Sequence, residues 1–236
     1  MSLTLRSRET EAVERMDDPD CDPRALARTY ARFRTVNRLV AGWRRSYADR
    51  VRPLLSAQRT TRLLDIGFGG GDLPRALARW ARRDGLRLEV VAIDPDPRAH
   101  AYAVAGPAAP GVSFRRAASM DLVAAGEEYD VVTSNHLLHH LDRPGLDQLL
   151  RDSERLARRL VLHSDLRRSR AAYLGWAAVS WPTAADSFLF TDGLLSIRRS
   201  HRPAALAAVV PAGWQVLPQP PFRLLLTRAA ERTPGA

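Results

Sequence analysis

The apolar residues of this chain follow one period before Pro53 and another after it. From Arg24 to Tyr47, Leu26, Tyr30, Phe33, Val36, Leu39, Val40 and Trp43 recur every three or four positions, which predicts an amphipathic helix that Gly42 can interrupt. Residues 1 to 16 carry no such period and read as a polar, frayed tail. Asp17 to Pro23 reads as a turn-rich loop ending at a helix cap.

Beyond Pro53 short apolar runs alternate with longer helical stretches, the pattern of strand and helix units that feed a parallel sheet. Arg62 to Ile66, Leu88 to Asp94, Val112 to Arg115, Asp130 to Asn135 and Arg159 to Asp165 predict five strands. Asp72 to Arg83, Pro97 to Val104, Met120 to Ala125 and Arg143 to Arg158 predict the helices between them. A last helix, Pro203 to Val210, precedes Trp214 to Leu217, the turn Pro218-Gln219-Pro220-Pro221, and Phe222 to Thr227. Two strands joined by so short a turn pair antiparallel, so the sheet should end in a hairpin.

Residues 166 to 202 break the alternation and hold Tyr173, Trp176, Trp181, Phe188 and Phe190. They read either as an inserted lid or pocket wall, or as aromatic core filling. The expected organisation is therefore a tail and helical cap over residues 1–53 and an α/β unit over 54–236 with an insert at about 166–202.

Composition narrows the function classes. With 236 residues and 45% hydrophobic content the chain can bury one sizeable core. No apolar run approaches the ~18 residues of a membrane span, and no secretory signal opens the chain, so a cytoplasmic location is expected. The lone Cys21 cannot form an internal disulfide or by itself a zinc site, and the acids around it, Asp17, Asp18, Asp20 and Asp22, oppose a thiolate. The net charge of +10 invites phosphate binding, but all 36 basic residues are arginines spread among acids along the chain. Nucleic acid is therefore not the expected partner.

The chemistry-bearing signal lies at the end of the first strand, in Leu63-Leu64-Asp65-Ile66-Gly67-Phe68-Gly69-Gly70-Gly71-Asp72. Glycines there let the backbone turn sharply and let a ligand approach its N–H groups. The second strand ends in Ala92-Ile93-Asp94-Pro95-Asp96, which puts a carboxylate about 20 residues on, where it can accept from both ribose hydroxyls of an adenosine moiety. The dinucleotide fingerprint Gly-x-Gly-x-x-Gly is not met, because position 72 is Asp72.

Over roughly residues 60–228 the chain resembles the class I S-adenosylmethionine-dependent methyltransferases. Asp65, Gly67, Gly69 and Gly71 match that family's Asp-x-Gly-x-Gly-x-Gly loop, and Tyr129-Asp130-Val131-Val132-Thr133-Ser134-Asn135-His136-Leu137-Leu138-His139-His140-Leu141 looks like the fourth-strand motif of its small-molecule members, the ubiquinone-biosynthesis type included. The resemblance implies a Rossmann-like, seven-stranded, mostly parallel sheet of order 3-2-1-4-5-7-6. It implies S-adenosyl-L-methionine as cofactor, with Asp65, Gly67, Phe68, Gly69 and Gly71 along its methionine part and Asp94 and Pro95 at the ribose. Asn135 would face the sulfonium, Ser119 and Met120 would bracket the adenine, and Asp121 would reach the adenine amine. No metal is implied.

Methyl transfer needs an in-line approach and sometimes a base, a role that histidine suits near neutral pH. His136, His139 and His140 cluster past the fourth strand, while His163 and Asp165 lie near the end of the fifth, on the side where open α/β sheets bind ligands. For each histidine the competing role is capping or packing. His139 and His140 adjoin and should point in different directions, so one at most should face an acceptor. Tyr30, Phe33 and Asn37 share a face of the first helix and either close over the cofactor mouth or pack in the core. The expected reaction is O- or C-methylation of a small, aromatic or phenolic acceptor. The alternatives are an RNA or DNA methyltransferase, a dinucleotide-dependent oxidoreductase, and a cofactor-binding protein without catalysis.

Overall fold

The structure, a computed structural model, describes residues 5–229. Its sheet has seven strands in the order β3-β2-β1-β4-β5-β7-β6, from β1 (Thr61–Ile66), β2 (Leu88–Asp94), β3 (Val112–Arg116), β4 (Tyr129–Asn135), β5 (Ala157–Leu166), β6 (Gln215–Gln219) and β7 (Arg223–Ala229). The first five run parallel, and β7 is antiparallel to both β5 and β6, as the closing hairpin requires. The central strand β1 is buried at five of its six positions, which is why its sequence reads as a continuous apolar run instead of an alternation.

The N-terminal helix is split. α1 (Pro23–Leu39) opens on Asp22, whose carboxylate accepts from the Arg24 N–H, and the chain breaks before α2 (Trp43–Ser46) because Gly42 takes φ +68°. A Cβ there would also lie 3.1 Å from the Gln219 amide nitrogen. A π turn, Tyr47–Val51, continues α2. The crossover helices are α3 (Asp72–Arg83), α4 (Pro97–Ala105), α5 (Ser119–Ala124) and α6 (Arg143–Leu156), the last stopping two residues short of expectation because Ala157 turns extended and pairs with Tyr129.

Residues 166–202 form two helices packed on one another, α7 (Arg170–Ser180) and α8 (Leu189–Arg199). A final helix, α9 (Pro203–Ala207), is shorter than the apolar pattern suggested. Two apolar clusters sandwich the sheet: one holds Leu64, Ile93, Val132, Leu150 and Trp214, the other Trp43, Tyr47, Leu63, Leu77 and Leu162.

Residues 5–17 overturn the expectation of a frayed tail. Leu5 and Glu14 are buried; the Glu9 N–H donates to the Arg198 carbonyl; and Asp192 of α8 accepts from the Arg15 and Met16 N–H groups at 3.1 and 2.9 Å. The segment is a strap across the carboxyl ends of the strands. Residues 1–4 of the expected tail lie outside the described residues. Among the described residues no helix is long and apolar enough to cross a membrane.

Candidate active site

A cavity of about 420 Å³ opens above the carboxyl edge of β1, β2 and β4, walled by the strap, α1 and the α7–α8 pair. That is within the ~300–1,000 Å³ of small-molecule sites, and its position is where an open α/β sheet offers a crevice.

Its floor is the turn after β1. Gly67, Gly69 and Gly71 adopt φ of +75°, +50° and +71°, which side chains resist, and a Cβ on Gly71 would lie 2.8 Å from the Phe114 ring. Asp94 locks the turn to β2, one carboxylate oxygen accepting from the Gly69 N–H at 2.9 Å and the other from the Asp96 N–H at 3.0 Å. Burial pushes the Asp94 carboxyl above its usual range, despite those two donors. Asp65 is only 2% exposed and accepts from the Thr133 hydroxyl at 2.8 Å. Burial first, then the neighbouring Asp72 and Asp94, push its pKa up to about 7. Phe68 packs against Phe114 at 5.0 Å between ring centres. The sequence also placed Phe68, Pro95 and Asn135 at this site, and all three line the cavity.

Tyr30, Phe33 and Asn37 of α1 line the opposite wall. Asn37 donates to the Asp72 carboxylate at 3.0 Å and accepts from the Asn135 amide at 3.2 Å; Asn135 in turn accepts from Arg223 at 2.7 Å. Arg223, on β7, is 1% exposed, and burial lowers its pKa to about 10.

The histidines divide sharply. His139 lies on a 3-10 turn, Leu138–His140, between two carboxylates, with Nδ1 2.7 Å from Asp165 and Nε2 3.4 Å from Glu14. Asp165 also accepts the His139 backbone N–H at 2.8 Å, so ring and main chain are held by one carboxylate. Burial opposes charge on His139, but Asp165 and Glu14 outweigh it and raise its pKa to about 9. Burial likewise opposes the charge on Asp165, and His139 outweighs it, holding the carboxyl well below its usual range. The same balance lowers Glu14, which also accepts from the Ser196 hydroxyl at 2.8 Å.

His140 sits beside it with Nδ1 2.9 Å from Asp17 and Nε2 3.8 Å from Glu14. The two rings tilt against each other with centres 4.3 Å apart, and both line the cavity. The expected divergence fails because the Nε2 atoms of both rings face the one Glu14 carboxylate, at 3.4 and 3.8 Å. Among the described residues Glu14, His139 and His140 are the group whose His and carboxylate ligand atoms fall within 4.8 Å of one another, close enough to share a proton or a divalent cation.

The other nominated residues are placed differently. His136 takes φ +58°, and its Nε2 accepts from Arg223 at 2.9 Å; burial, then the Arg223 charge, push its pKa well below the ordinary value. It lines the cavity as a neutral ring whose lone pair is engaged. His163 is fully buried, stacks on Trp214 at 5.7 Å, and shares a hydrogen with the Ser134 hydroxyl at 2.8 Å. It belongs to the core, three residues short of the end of β5. Ser119 and Met120 do not line the cavity: the Ser119 hydroxyl is 2.7 Å from Asp152, and Met120 is 56% exposed. Asp121 caps its own helix through the Ala118 N–H at 2.8 Å.

Sequence reading missed Glu14 and Arg223 as site residues. Neither belongs to a motif or a periodic face; each reaches the site through long-range packing.

A family model described as "Methyltransferase domain" matches residues 63–159. The ubiquinone biosynthesis O-methyltransferase of Cereibacter sphaeroides (strain ATCC 17025 / ATH 2.4.3) is 38% identical over 85 residues, 35% of this chain and 32% of that protein. Its namesake in Azorhizobium caulinodans is 35% identical over 101 residues, 42% of this chain and 36% of the relative. These matches thus span about a third of the relatives' length. Among solved structures, human N-acetylserotonin methyltransferase in complex with SAM aligns at TM-score 0.61 and 12% identity, covering 88% of this chain and 56% of that one. The plantazolicin methyltransferase BpumL, in complex with a triazolic analog and SAH, aligns at TM-score 0.60 and 13% identity, covering 89% and 96%. Over residues 63–159 the chain thus carries a methyltransferase domain, set in a fold that it shares with solved methyltransferases.

Proposed function

We propose that the cavity binds S-adenosyl-L-methionine and that the chain is an enzyme transferring its methyl group to the oxygen of a small aromatic acceptor. The observation that carries this reading is that one cavity joins the Gly67–Gly71 turn and Asp94 at one end to His139 and its two carboxylates at the other. The cavity residues fit the cofactor. Asp94 is a half-buried carboxylate on the wall with lone pairs free for ribose hydroxyls, and burial leaves it short of donors. Asp65 and Asp72 offer carboxyl oxygens where the ammonium of the cofactor's methionine end would lie. When bound, the cofactor supplies a methyl group already activated on a positively charged sulfur.

The protein's own contribution is position and proton handling. Phe33, Val36, Leu137 and Trp176 hold the acceptor and exclude water. Glu14 turns aside to admit the acceptor hydroxyl to His139 Nε2; the imidazole, steadied at Nδ1 by Asp165, takes the proton as the oxygen lone pair forms the new O–C bond. The pair of the broken C–S bond stays on sulfur, leaving S-adenosylhomocysteine. The segment before residue 54 and residues 166–202 serve as cap and lid. Oxygen is favoured over carbon as acceptor by the name of the matched relatives, O-methyltransferases.

Two measurements test the proposal. Calorimetry with S-adenosylhomocysteine should report binding that Asp94→Ala abolishes, and methyl-tritiated cofactor should label phenols in a panel of small acceptors. Failure of the wild-type chain to bind S-adenosylhomocysteine would reject the reading.

A further inference from the structure

The cavity has a charge character opposite to that of the molecule. The chain carries 36 arginines and a net charge of +10, yet among the described residues no arginine lines the cavity. Four carboxylates, Asp65, Asp72, Asp94 and Asp96, stand at its cofactor end, and three more, Glu14, Asp17 and Asp192, at the end bearing His139.

The guanidiniums nearest that second end are turned away and already occupied. Arg8 donates to the carbonyls of Arg199, His139 and Leu141. Arg199 donates to those of His139, His140 and Ala12. Both terminal nitrogens of Arg223 are engaged, with Asn135, Ser164 and His136, and the group does not line the cavity. None of these three opens a fork into the cavity, and Arg168, whose Nε and Nη1 have no partner, does not line it, so paired hydrogen bonds to a carboxylate or phosphate, the usual means of binding such a group, are not offered by the wall. The imidazoles are a poor substitute: His140 faces two carboxylates, His139 keeps Asp165 on Nδ1 and only its Nε2 is given to the acceptor hydroxyl, and His136 accepts from Arg223. The rest of the wall is apolar, with Phe33, Leu137, Leu166, Trp176 and Leu189. An anion placed here would lose its water, gain no cation, and lie among like charges.

We propose, on the reading of this cavity given above, that the methyl acceptor is an apolar aromatic molecule bearing no anionic group: neutral, or cationic through an amine. The surface charge draws anions toward the molecule, and the interior rejects them. Phosphate-bearing acceptors, nucleic acids included, fall outside the class.

The test uses the full chain with S-adenosylmethionine and three phenols of one skeleton, a 3-(hydroxyphenyl)propanoic acid, its methyl ester and the corresponding primary amine. The expected kcat/KM is similar for the ester and the amine and at least about a hundredfold lower for the acid. Asp17→Asn, which keeps an oxygen for His140, should narrow the ester-to-acid ratio by about tenfold. An acid accepted as well as its ester overturns the proposal. So does transfer to none of the three by a chain that binds S-adenosylhomocysteine in calorimetry. Absence of that binding would instead remove the methyltransferase reading on which the proposal stands.

Discussion

Asn37 of α1 and Asn135 at the end of β4 share a hydrogen bond of 3.2 Å, the middle link of a chain running from the Arg223 guanidinium through both amides to the Asp72 carboxylate. Each amide accepts on one side and donates on the other, so the chain is polarised from a buried cation to a half-buried carboxylate, and its members strengthen one another. It also ties the cap helix to the sheet directly over the cofactor end of the cavity. Asn37→Ala removes two links at once. The expected outcome is an S-adenosylhomocysteine dissociation constant raised about tenfold, with about 1 kcal/mol lost from stability. Calorimetry and urea unfolding measure the two effects, and an unchanged affinity would show that the chain holds the fold alone.

Asp94 is committed to two backbone donors, Gly69 and Asp96, through separate oxygens. Asp94→Asn keeps the shape but turns an amide donor against one of those N–H groups and removes the charge toward the ribose. Hydrogen bonds to a charged group are each worth about 1.5–3 kcal/mol, so affinity for S-adenosylhomocysteine should fall about 10- to 100-fold. The far-UV spectrum should not change.

His139 has its pKa raised to about 9, because Asp165 and Glu14 outweigh burial. Below that pH the ring is an imidazolium with no lone pair to offer, so kcat/KM, which reports the free enzyme, should climb with pH and level off near 9. Glu14→Gln takes away one of the two carboxylates, and the break should move to lower pH. His139→Gln should cost about 10²- to 10⁴-fold in kcat while leaving S-adenosylhomocysteine binding intact. A wild-type profile that is flat from neutrality to pH 9 would remove the ring from its proposed role.

These three sites differ in how visible they were in the sequence. The glycine turn and Asp94 are local features: positive φ angles call for glycine at particular positions, and a carboxylate at a strand's end lies where ligands bind, so residue type and spacing sufficed. The strap was unreadable because its order comes from polar contacts to α8, such as Asp192 with the Arg15 and Met16 N–H groups, which impose no period. Glu14 and Arg223 enter the site from opposite ends of the chain, so only the completed packing brings them beside His139 and His136. The tilted pair His139 and His140 was misjudged because the carboxylate that both rings face, Glu14, lies more than a hundred residues away in sequence.

His163 was misplaced by position along β5. It stands two residues before Asp165, about 6.6 Å down the strand, which is enough to carry it from the cavity edge into the layer beneath, against Trp214. Its Nε2 has no partner, and burial pushes its pKa down to about 3. In the unfolded chain the same ring titrates near 6.5. Between these values the unfolded state binds a proton that the folded state refuses, so this residue makes stability fall as the pH drops below about 6.5, by up to about 1.4 kcal/mol per unit. His163→Phe keeps a ring on Trp214 and removes the titration. The loss of unfolding free energy between pH 7 and pH 5 should shrink by about 2 kcal/mol relative to wild type, as read from urea titrations at both pH values. Because the ring is in the core, kcat/KM should stay near the wild-type value. A large fall in kcat with the fold intact would return His163 to the site where its sequence neighbours first suggested it.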